Sequence, residues 1–228
     1  MTDVPKLPME TLSTYGFEPR EFKPLAKRIF DLVGSAALIV FFSPLLLIIS
    51  LIVATKVGPR VIFAHEREGR DGKKFKCLKF RTMYLDADAR LEQILATDPE
   101  AAAEWEKNRK LKNDTRILPI VGSFLRKSSL DELPQLFNVF FGEMSLVGPR
   151  PVVEDEITDY YGDIATLYYS VRPGMTGPWQ VGERSDTDYE TRVAQDADYV
   201  QNWTLLGDVV IILKTALMVA TVKSKGAY

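Results

Sequence analysis

The chain has 228 residues, which is enough for one domain of ordinary size together with a membrane anchor. Its 29 basic and 31 acidic residues give a formal net charge of −2, so composition offers no support for nucleic-acid binding, which usually goes with a basic excess. The single cysteine, Cys77, excludes an intrachain disulfide, and with the single histidine, His65, it argues against a zinc site. A bound metal is therefore expected to be a hard, oxygen-bound ion such as Mg²⁺.

The N-terminal part of the chain divides into a polar segment and an uncharged one. Residues 1–22 contain prolines and charges of both signs without periodicity, which predicts a mobile tail. No small-residue cleavage site follows the apolar run, so a cleaved signal peptide is not expected.

Residues 32–55 carry no charge, and at about 1.5 Å per residue a helix of this length crosses a bilayer. Ser43 and Pro44 interrupt the segment midway, and a proline removes one helical hydrogen bond. Basic residues flank both ends, so the positive-inside rule selects no orientation. A plain transmembrane span and a re-entrant helix–break–helix hairpin both fit this pattern.

The next segments predict a small β element and a helical one. Residues 61–83 alternate in places between apolar and polar side chains, with Asp71-Gly72 as a turn signal, and predict a β-hairpin. Residues 85–111 are rich in Ala, Glu and Lys and predict helix with an interruption near Asp98-Pro99. The apolar residues of 114–127 are expected at the bilayer surface, and Arg126 is expected to steer anions toward the segment that follows.

The stretch SSLDELPQLFNVFFGEMSLVGPRP, Ser128 to Pro151, holds the strongest candidate site. Asp131 and Glu132 are adjacent carboxylates at a predicted helix start, where Ser129 and Glu132 match a capping box. The loop that ends this stretch adds Arg150 between two prolines. Two carboxylates and a restrained arginine suit a site for a phosphate and a divalent ion. In the simpler interpretation the carboxylates only cap the helix and complement its dipole.

The C-terminal part contributes a turn-rich loop and an apolar helix. Residues 172–177 (RPGMTG) contain glycines that let backbone N–H groups approach a ligand. Trp179, just beyond the loop, suits either stacking on a base or core packing. Residues 205–222 are apolar but are interrupted by Asp208 and Lys214, which favours an interfacial helix over a span.

The stretch at 128–151 resembles the signature of the bacterial sugar transferases. Three further segments resemble the same family: Phe75–Met83 (FKCLKFRTM), Arg172–Gln180 (RPGMTGPWQ) and Tyr199–Trp203 (YVQNW). Members of this family are monotopic phosphoglycosyl transferases, which load a sugar 1-phosphate onto a polyprenyl phosphate. The resemblance extends from about Lys27 to the C-terminus, and it is greatest to the short galactose-1-phosphate transferases that begin exopolysaccharide repeat units.

The resemblance implies roles for particular residues. Asp131 is the expected nucleophile and Glu132 the expected Mg²⁺ ligand. The residues expected to bind substrate phosphates are Arg150, Lys79, Arg81 and Arg126. Those expected in the nucleotide-sugar loop and beside it are Arg172, Gly174, Thr176, Gly177, Gln180 and Asp196. The family has a Ser-Pro pair in its membrane helix, which favours the re-entrant hairpin broken at Ser43 and Pro44.

The implied protein is an α+β, mainly helical enzyme with a re-entrant membrane helix–break–helix, a short β-hairpin and interfacial amphipathic helices. Residues 23–60 would form the membrane hairpin with its flanks, and residues 61–228 a catalytic domain on the cytoplasmic face of the bacterial inner membrane. Its expected partners are a UDP-sugar and undecaprenyl phosphate, with no nucleic acid. Galactose is favoured by overall likeness alone, so UDP-glucose and UDP-N-acetyl sugars stay open. A non-catalytic membrane scaffold is the alternative from another class, and a homo-oligomer is left open.

Overall fold

The computed structural model describes residues 24–108, 110–182 and 189–220, so the tail predicted at residues 1–22 lies outside the described residues. Within them the chain is mainly helical, and its strands form two separate two-stranded sheets. The elements in chain order are α1 (Pro24–Val57), β1 (Ile62–Arg67), β2 (Phe75–Phe80), α2 (Ala87–Thr97), α3 (Pro99–Asn108), α4 (Val121–Ser128), α5 (Gln135–Phe141), β3 (Ser145–Val147), α6 (Glu154–Glu156), α7 (Ala165–Ser170), β4 (Gly174–Thr176), α8 (Pro178–Val181), α9 (Tyr189–Gln201) and α10 (Leu205–Ala220). The prediction of a mainly helical α+β fold is confirmed.

Helix α1 is 34 residues long and continues through Pro44, where an interruption was predicted. Because proline has no N–H, the carbonyl of Val40, four residues earlier, loses its usual helical partner. The Ser43 hydroxyl donates a hydrogen bond of 2.8 Å to that carbonyl. The Ser-Pro pair therefore compensates its own defect, and the helix does not end there. By length and composition, α1 is able to cross a membrane.

Both ends of α1 are buried against the rest of the chain, whereas its middle is exposed on one side. The buried positions recur every fourth residue at each end, first Lys27, Asp31 and Ser35, and then Ile49, Val53 and Val57. A spacing of four keeps each set on one face of the helix. Between the two sets, Val40 and Phe41 each expose 73% of their surface. One side of the apolar middle of α1 is thus exposed, while Leu38, Phe42 and Leu45 on the other side pack against the core.

The predicted β-hairpin is confirmed. Strands β1 and β2 pair antiparallel, with Ile62 opposite Phe80 and Arg67 opposite Phe75. The chain reverses at Asp71 and Gly72, which both have positive φ. The helix interruption near residue 98 is confirmed as well, since Asp98 Oδ1 accepts hydrogen bonds from the first N–H groups of α3.

The apolar residues predicted at the bilayer surface before the candidate site divide between the core and the exterior. Leu118 and Leu125 are buried in the core, which corrects the prediction for these two. Ile120 and Phe124 are 85% and 60% exposed, respectively. Within α4 the helical period turns one side of the helix inward, so Leu125 is buried while Phe124 is exposed. Only the outer side of this segment is available to a membrane.

Candidate active site

Asp131 and Glu132 lie in a single 3-10 turn, Leu130–Glu132, between α4 and α5. Ser129 adopts a left-handed backbone conformation with φ 56°, and its side chain makes no capping hydrogen bond. The predicted capping box is therefore wrong. The chain turns sharply at Ser129, and the Glu132 side chain binds elsewhere. Helix α5 begins only at Gln135, so the carboxylates precede the helix instead of forming its first turn.

Glu132 is held by Lys79 of strand β2, whose Nζ lies 2.7 Å from Glu132 Oε1. Both side chains are about a quarter exposed, so the pair is in reach of solvent and of a ligand. The sequence places these residues 53 positions apart, and the structure brings them together. A carboxylate and an ammonium group thus stand directly beside Asp131.

The surroundings of Asp131 raise its pKa to about 6. Burial is the largest cause, since it disfavours the charged carboxylate, and the neighbouring charge of Glu132 raises the pKa further. Lys79 and Arg126 act in the opposite direction. Asp131 is therefore ionised at neutral pH, although it is a stronger base than an ordinary aspartate.

The two remaining predicted phosphate-binding cations near the hairpin have different surroundings. Arg126 donates from Nε to Thr82 Oγ1 at 2.8 Å, and its charge reaches Asp131. Arg81 binds the main chain, donating to the carbonyls of Arg60 and Ile62. The structure thus brings Arg126 to the carboxylates, while it fixes Arg81 at the start of β1. A phosphate role for Arg81 stays a prediction.

A second charged group surrounds Asp196 of helix α9. Asp196 is 3% exposed and accepts a hydrogen bond of 2.8 Å from the Tyr161 hydroxyl. Burial raises its pKa to about 6, against the hydrogen bond from Tyr161 and the charges of Arg192 and Arg150. The guanidinium groups of Arg150 and Arg192 lie 5.6 Å and 5.2 Å from the ring centroid of Trp179. Arg150 is thus stacked on an aromatic ring beside a buried carboxylate.

Charges from both groups act on the buried thiol of Cys77. Burial raises the pKa of Cys77, and four charges act on it besides, those of Lys79, Glu132, Arg67 and Arg150. Arg150 and the Lys79–Glu132 pair thus each lie within electrostatic range of Cys77.

The predicted nucleotide-sugar loop is partly a strand. Residues 174–176 form β4, which pairs parallel with β3. A Cβ on Gly174 would lie 2.1 Å from the Gly148 nitrogen, so glycine is needed there for close approach of the two segments. The N–H of Gly174 is already donated to the Pro149 carbonyl at 2.7 Å. Glycine thus serves packing at this position.

Other polar groups of this loop also bind protein. Arg172 Nε donates to the Gly142 carbonyl at 2.6 Å, and Gln180 Nε2 donates to the Met175 carbonyl at 3.0 Å. The hydroxyl groups of Thr176 and Thr215 lie 2.7 Å apart. At Gly177, a Cβ would meet the Gly148 carbonyl oxygen at 2.2 Å. These contacts hold the loop against the end of α5, against α10 and against Gly148, and direct contacts of the loop with a nucleotide stay a prediction.

Two residues of the site escape sequence reasoning, Asn138 and Arg192. Asn138 is 1% exposed, accepts from the Leu78 N–H at 2.9 Å and donates to the Lys76 carbonyl at 2.8 Å. Its amide therefore takes the place of a neighbouring strand along β2 and holds that strand beside α5. A polar residue on the apolar face of a helix is the available signal for Asn138. For Arg192 the signal is its spacing of four from Asp196.

We expect Asn138→Ala to destabilise the protein by about 2 to 4 kcal/mol, because it removes a fully buried amide and leaves a partly buried N–H and a partly buried carbonyl of β2 without that partner. The measurement is the midpoint of thermal or denaturant unfolding in detergent. Asn202→Ala is the matched control, since Asn202 only bonds to Asp198 on an exposed helix end, and it should shift the midpoint little. Equal shifts for both variants would show that Asn138 does not hold β2.

The carboxylates of the site suit a magnesium ion that is bound partly by the protein and partly by substrate phosphates. No group of three or more His, Cys, Asp or Glu side chains with metal-binding geometry occurs in the described part of the chain. Mg²⁺ commonly binds through one or two carboxylates and substrate phosphates, and Asp131 and Glu132 can supply that number.

Comparison with known proteins gives one consistent result. The profile of a family described as bacterial sugar transferase matches residues 22–222. A UDP-galactose-lipid carrier transferase of Erwinia amylovora is 54% identical over 202 residues, and an undecaprenyl-phosphate galactose phosphotransferase of Salmonella typhimurium is 52% identical over 202. Each match covers 89% of the chain but 41% of the relative. The exopolysaccharide production protein ExoY of Rhizobium meliloti is 50% identical over 204 residues, which cover 90% of the chain and 88% of the relative.

Proposed function

The chain belongs to the bacterial sugar transferase family, and on that premise we propose that it transfers a hexose 1-phosphate from a UDP-sugar to undecaprenyl phosphate and releases UMP. The observation that carries the proposal is Asp131 beside the Lys79–Glu132 ion pair, with Arg126 in reach. Galactose 1-phosphate is the favoured group, since two relatives have galactose in their names. The product would be the first lipid-linked intermediate of an exopolysaccharide.

The arrangement suits a reaction in two displacements. In the first, a carboxylate oxygen of Asp131 attacks the β-phosphorus of the donor, a phosphosugar–aspartate bond forms, and the β-phosphorus–oxygen bond to UMP breaks. In the second, the phosphate of the lipid attacks the same phosphorus and releases Asp131. A covalent step spares the enzyme from bringing the two anionic substrates together at once.

The cations of the site oppose the build-up of negative charge during both steps. The charges of Lys79 and Arg126 act on Asp131, and Arg150 lies over the Trp179 ring. Such fixed charges stabilise the equatorial oxygens of a transferring phosphoryl group. Glu132 would hold Mg²⁺ together with donor oxygens, and the ion would supply neutralisation of the diphosphate.

The membrane attachment we propose is a re-entrant hairpin formed by residues 23–60, with residues 61–228 as the catalytic domain. The support is the burial of both ends of α1, at Lys27 and Asp31 and again at Val53 and Val57, in contacts with the same domain. A span would carry one end of the helix to the opposite side of the membrane, away from that domain. The exposed apolar middle would then enter the leaflet, and the site would lie at headgroup depth on the cytoplasmic face of the inner membrane.

Two cysteine variants, Leu25→Cys and Lys56→Cys, test this topology. Both positions are exposed at opposite ends of α1, and the native Cys77 is buried, so the unsubstituted protein is the unlabelled control. We expect a membrane-impermeant maleimide to label both variants in inverted inner-membrane vesicles and neither in spheroplasts. Labelling of one variant from each side would show a span and overturn the hairpin.

The reaction itself is tested by UMP release from detergent-solubilised protein with undecaprenyl phosphate, Mg²⁺ and a panel of UDP-sugars. We expect release with UDP-galactose, loss of release with EDTA, and little release with UDP-glucose or UDP-N-acetylgalactosamine. Release with another sugar alone would correct the donor while leaving the reaction class. No release with any sugar from folded protein would favour a non-catalytic membrane scaffold.

A further inference from the structure

One carboxylate near the start of α1 binds a strand instead of a cation or solvent. Asp31 is 1% exposed, and its Oδ1 accepts hydrogen bonds from the Leu146 N–H and from the Ser145 hydroxyl, each at 2.9 Å. Both donors belong to β3. A buried carboxylate that receives a backbone N–H at this distance forms a strong, charge-assisted hydrogen bond.

The contact of Asp31 lies on the edge of β3 that β4 does not occupy. Successive N–H groups of a strand point to opposite edges, and β4 occupies one edge through the pairing of Ser145 with Gly174 and of Val147 with Thr176. The N–H of Leu146 points to the other edge, where Asp31 receives it. Helix α1 thus takes the place of a third strand, at a single point, on the open edge of this sheet.

The chain between this point and Arg150 has little freedom. The Gly148 N–H donates to the Thr176 carbonyl at 2.9 Å, and the Pro149 carbonyl accepts from the Gly174 N–H. Pro149 and Pro151 restrict the backbone on both sides of Arg150. A displacement of β3 relative to α1 would therefore be transmitted to Arg150 over four residues instead of being absorbed by a flexible loop.

We propose that Asp31 is a positioning residue that holds β3 and, through it, Arg150 at a fixed place relative to the membrane helix. Lys27, one turn earlier on the same face, binds Asp208 of α10 at 2.7 Å, so the start of α1 cannot rotate freely. Arg150 then lies at a fixed depth relative to the membrane surface. A water-soluble donor and a membrane-bound acceptor can both reach the site only if that depth is fixed. The kinetic part of this inference rests on the proposed function, whereas the structural part does not.

Hydrogen exchange tests the structural part. In Asp31→Ala the Leu146 N–H loses its acceptor, and we expect exchange in a peptide covering residues 145–150 to become at least about tenfold faster. Asp31→Asn keeps an acceptor oxygen and should retain most of the protection. Ser35→Ala is the matched control, because Ser35 is buried one turn later on the same face and bonds only within its own helix. If Asp31→Ala leaves exchange in residues 145–150 unchanged, the proposal is wrong.

A double-mutant cycle with Arg150→Ala tests the kinetic part. If Asp31 acts through Arg150, the loss of kcat caused by Arg150→Ala should be at least about fivefold smaller in the Asp31→Ala background than in the unsubstituted protein. In the Ser35→Ala background it should be undiminished. If the separate losses of kcat caused by Asp31→Ala and Arg150→Ala multiply in the double variant, Asp31 does not act through Arg150 and the positioning role is wrong.

The test remains decisive if Asp31→Ala does not fold or if the protein does not release UMP. If Asp31→Ala does not fold, Asp31→Ser replaces it, since its hydroxyl is about one bond too short to reach β3. If neither the unsubstituted protein nor Ser35→Ala releases UMP, the proposed function fails. Hydrogen exchange then still decides whether Asp31 holds the strand.

Discussion

Asp131→Asn is expected to lower UMP release by a factor of about 10³ or more, because an amide cannot form the phosphosugar–enzyme bond. The substitution keeps the size of the side chain and its place in the 3-10 turn. Intact-protein mass spectrometry adds a direct observation. Incubation with UDP-sugar in the absence of lipid should add one hexose phosphate to the unsubstituted protein and nothing to the variant.

The stability of this variant separates lost chemistry from lost fold. Folding raises the pKa of Asp131 to about 6, above its ordinary value, so ionisation of Asp131 opposes folding at neutral pH. The asparagine variant carries no such charge and should unfold at an equal or higher temperature than the unsubstituted protein at pH 7.5. Asp88→Asn, at an exposed position on α2, is the control for activity and should be unaffected. Turnover of Asp131→Asn within about tenfold of the unsubstituted enzyme would remove Asp131 as the nucleophile.

Local signals in the sequence predicted those features that depend on neighbouring residues. Asp71-Gly72 predicted the reversal of the β-hairpin, and Asp98-Pro99 predicted the boundary between α2 and α3, because both are turn signals whose effect is confined to a few residues. The Ser43–Pro44 pair predicted an interruption, but the helix continues through it because the Ser43 hydroxyl bonds to the Val40 carbonyl.

Features that depend on distant partners could not be predicted from local pattern. The capping box failed because Glu132 binds Lys79 of another element, which removes the side chain from the helix start. Asn138 binds the main chain of β2, and no local pattern shows that a strand edge will lie beside α5. The assignment of Lys79 to the site depends on the resemblance of residues 75–83 to the bacterial sugar transferases. A family resemblance carries information about long-range contacts that the spacing of residues in one sequence does not contain.

Lys79→Met should lower UMP release at pH 7.5 by about a hundredfold and should also move the acidic limb of the pH–rate profile to higher pH. The size of the loss reflects a cation removed from the phosphate site. The shift has a separate cause. Lys79 lowers the pKa of Asp131, so its removal raises that pKa further above about 6. A larger fraction of Asp131 is then protonated, and unable to attack, at each pH near the limb.

The profile of kcat/KM between about pH 5 and pH 9 measures both effects at once. Lys76→Met is the matched control, since Lys76 lies on the same strand with an exposed side chain, and it should change neither the rate nor the limb. Lys79→Arg retains the charge and should leave the limb in place even where altered geometry lowers the rate. A limb that stays fixed in Lys79→Met would mean that the group titrating in the profile is not Asp131. The ion pair with Glu132 would then serve to orient that carboxylate and not to set the charge of the nucleophile.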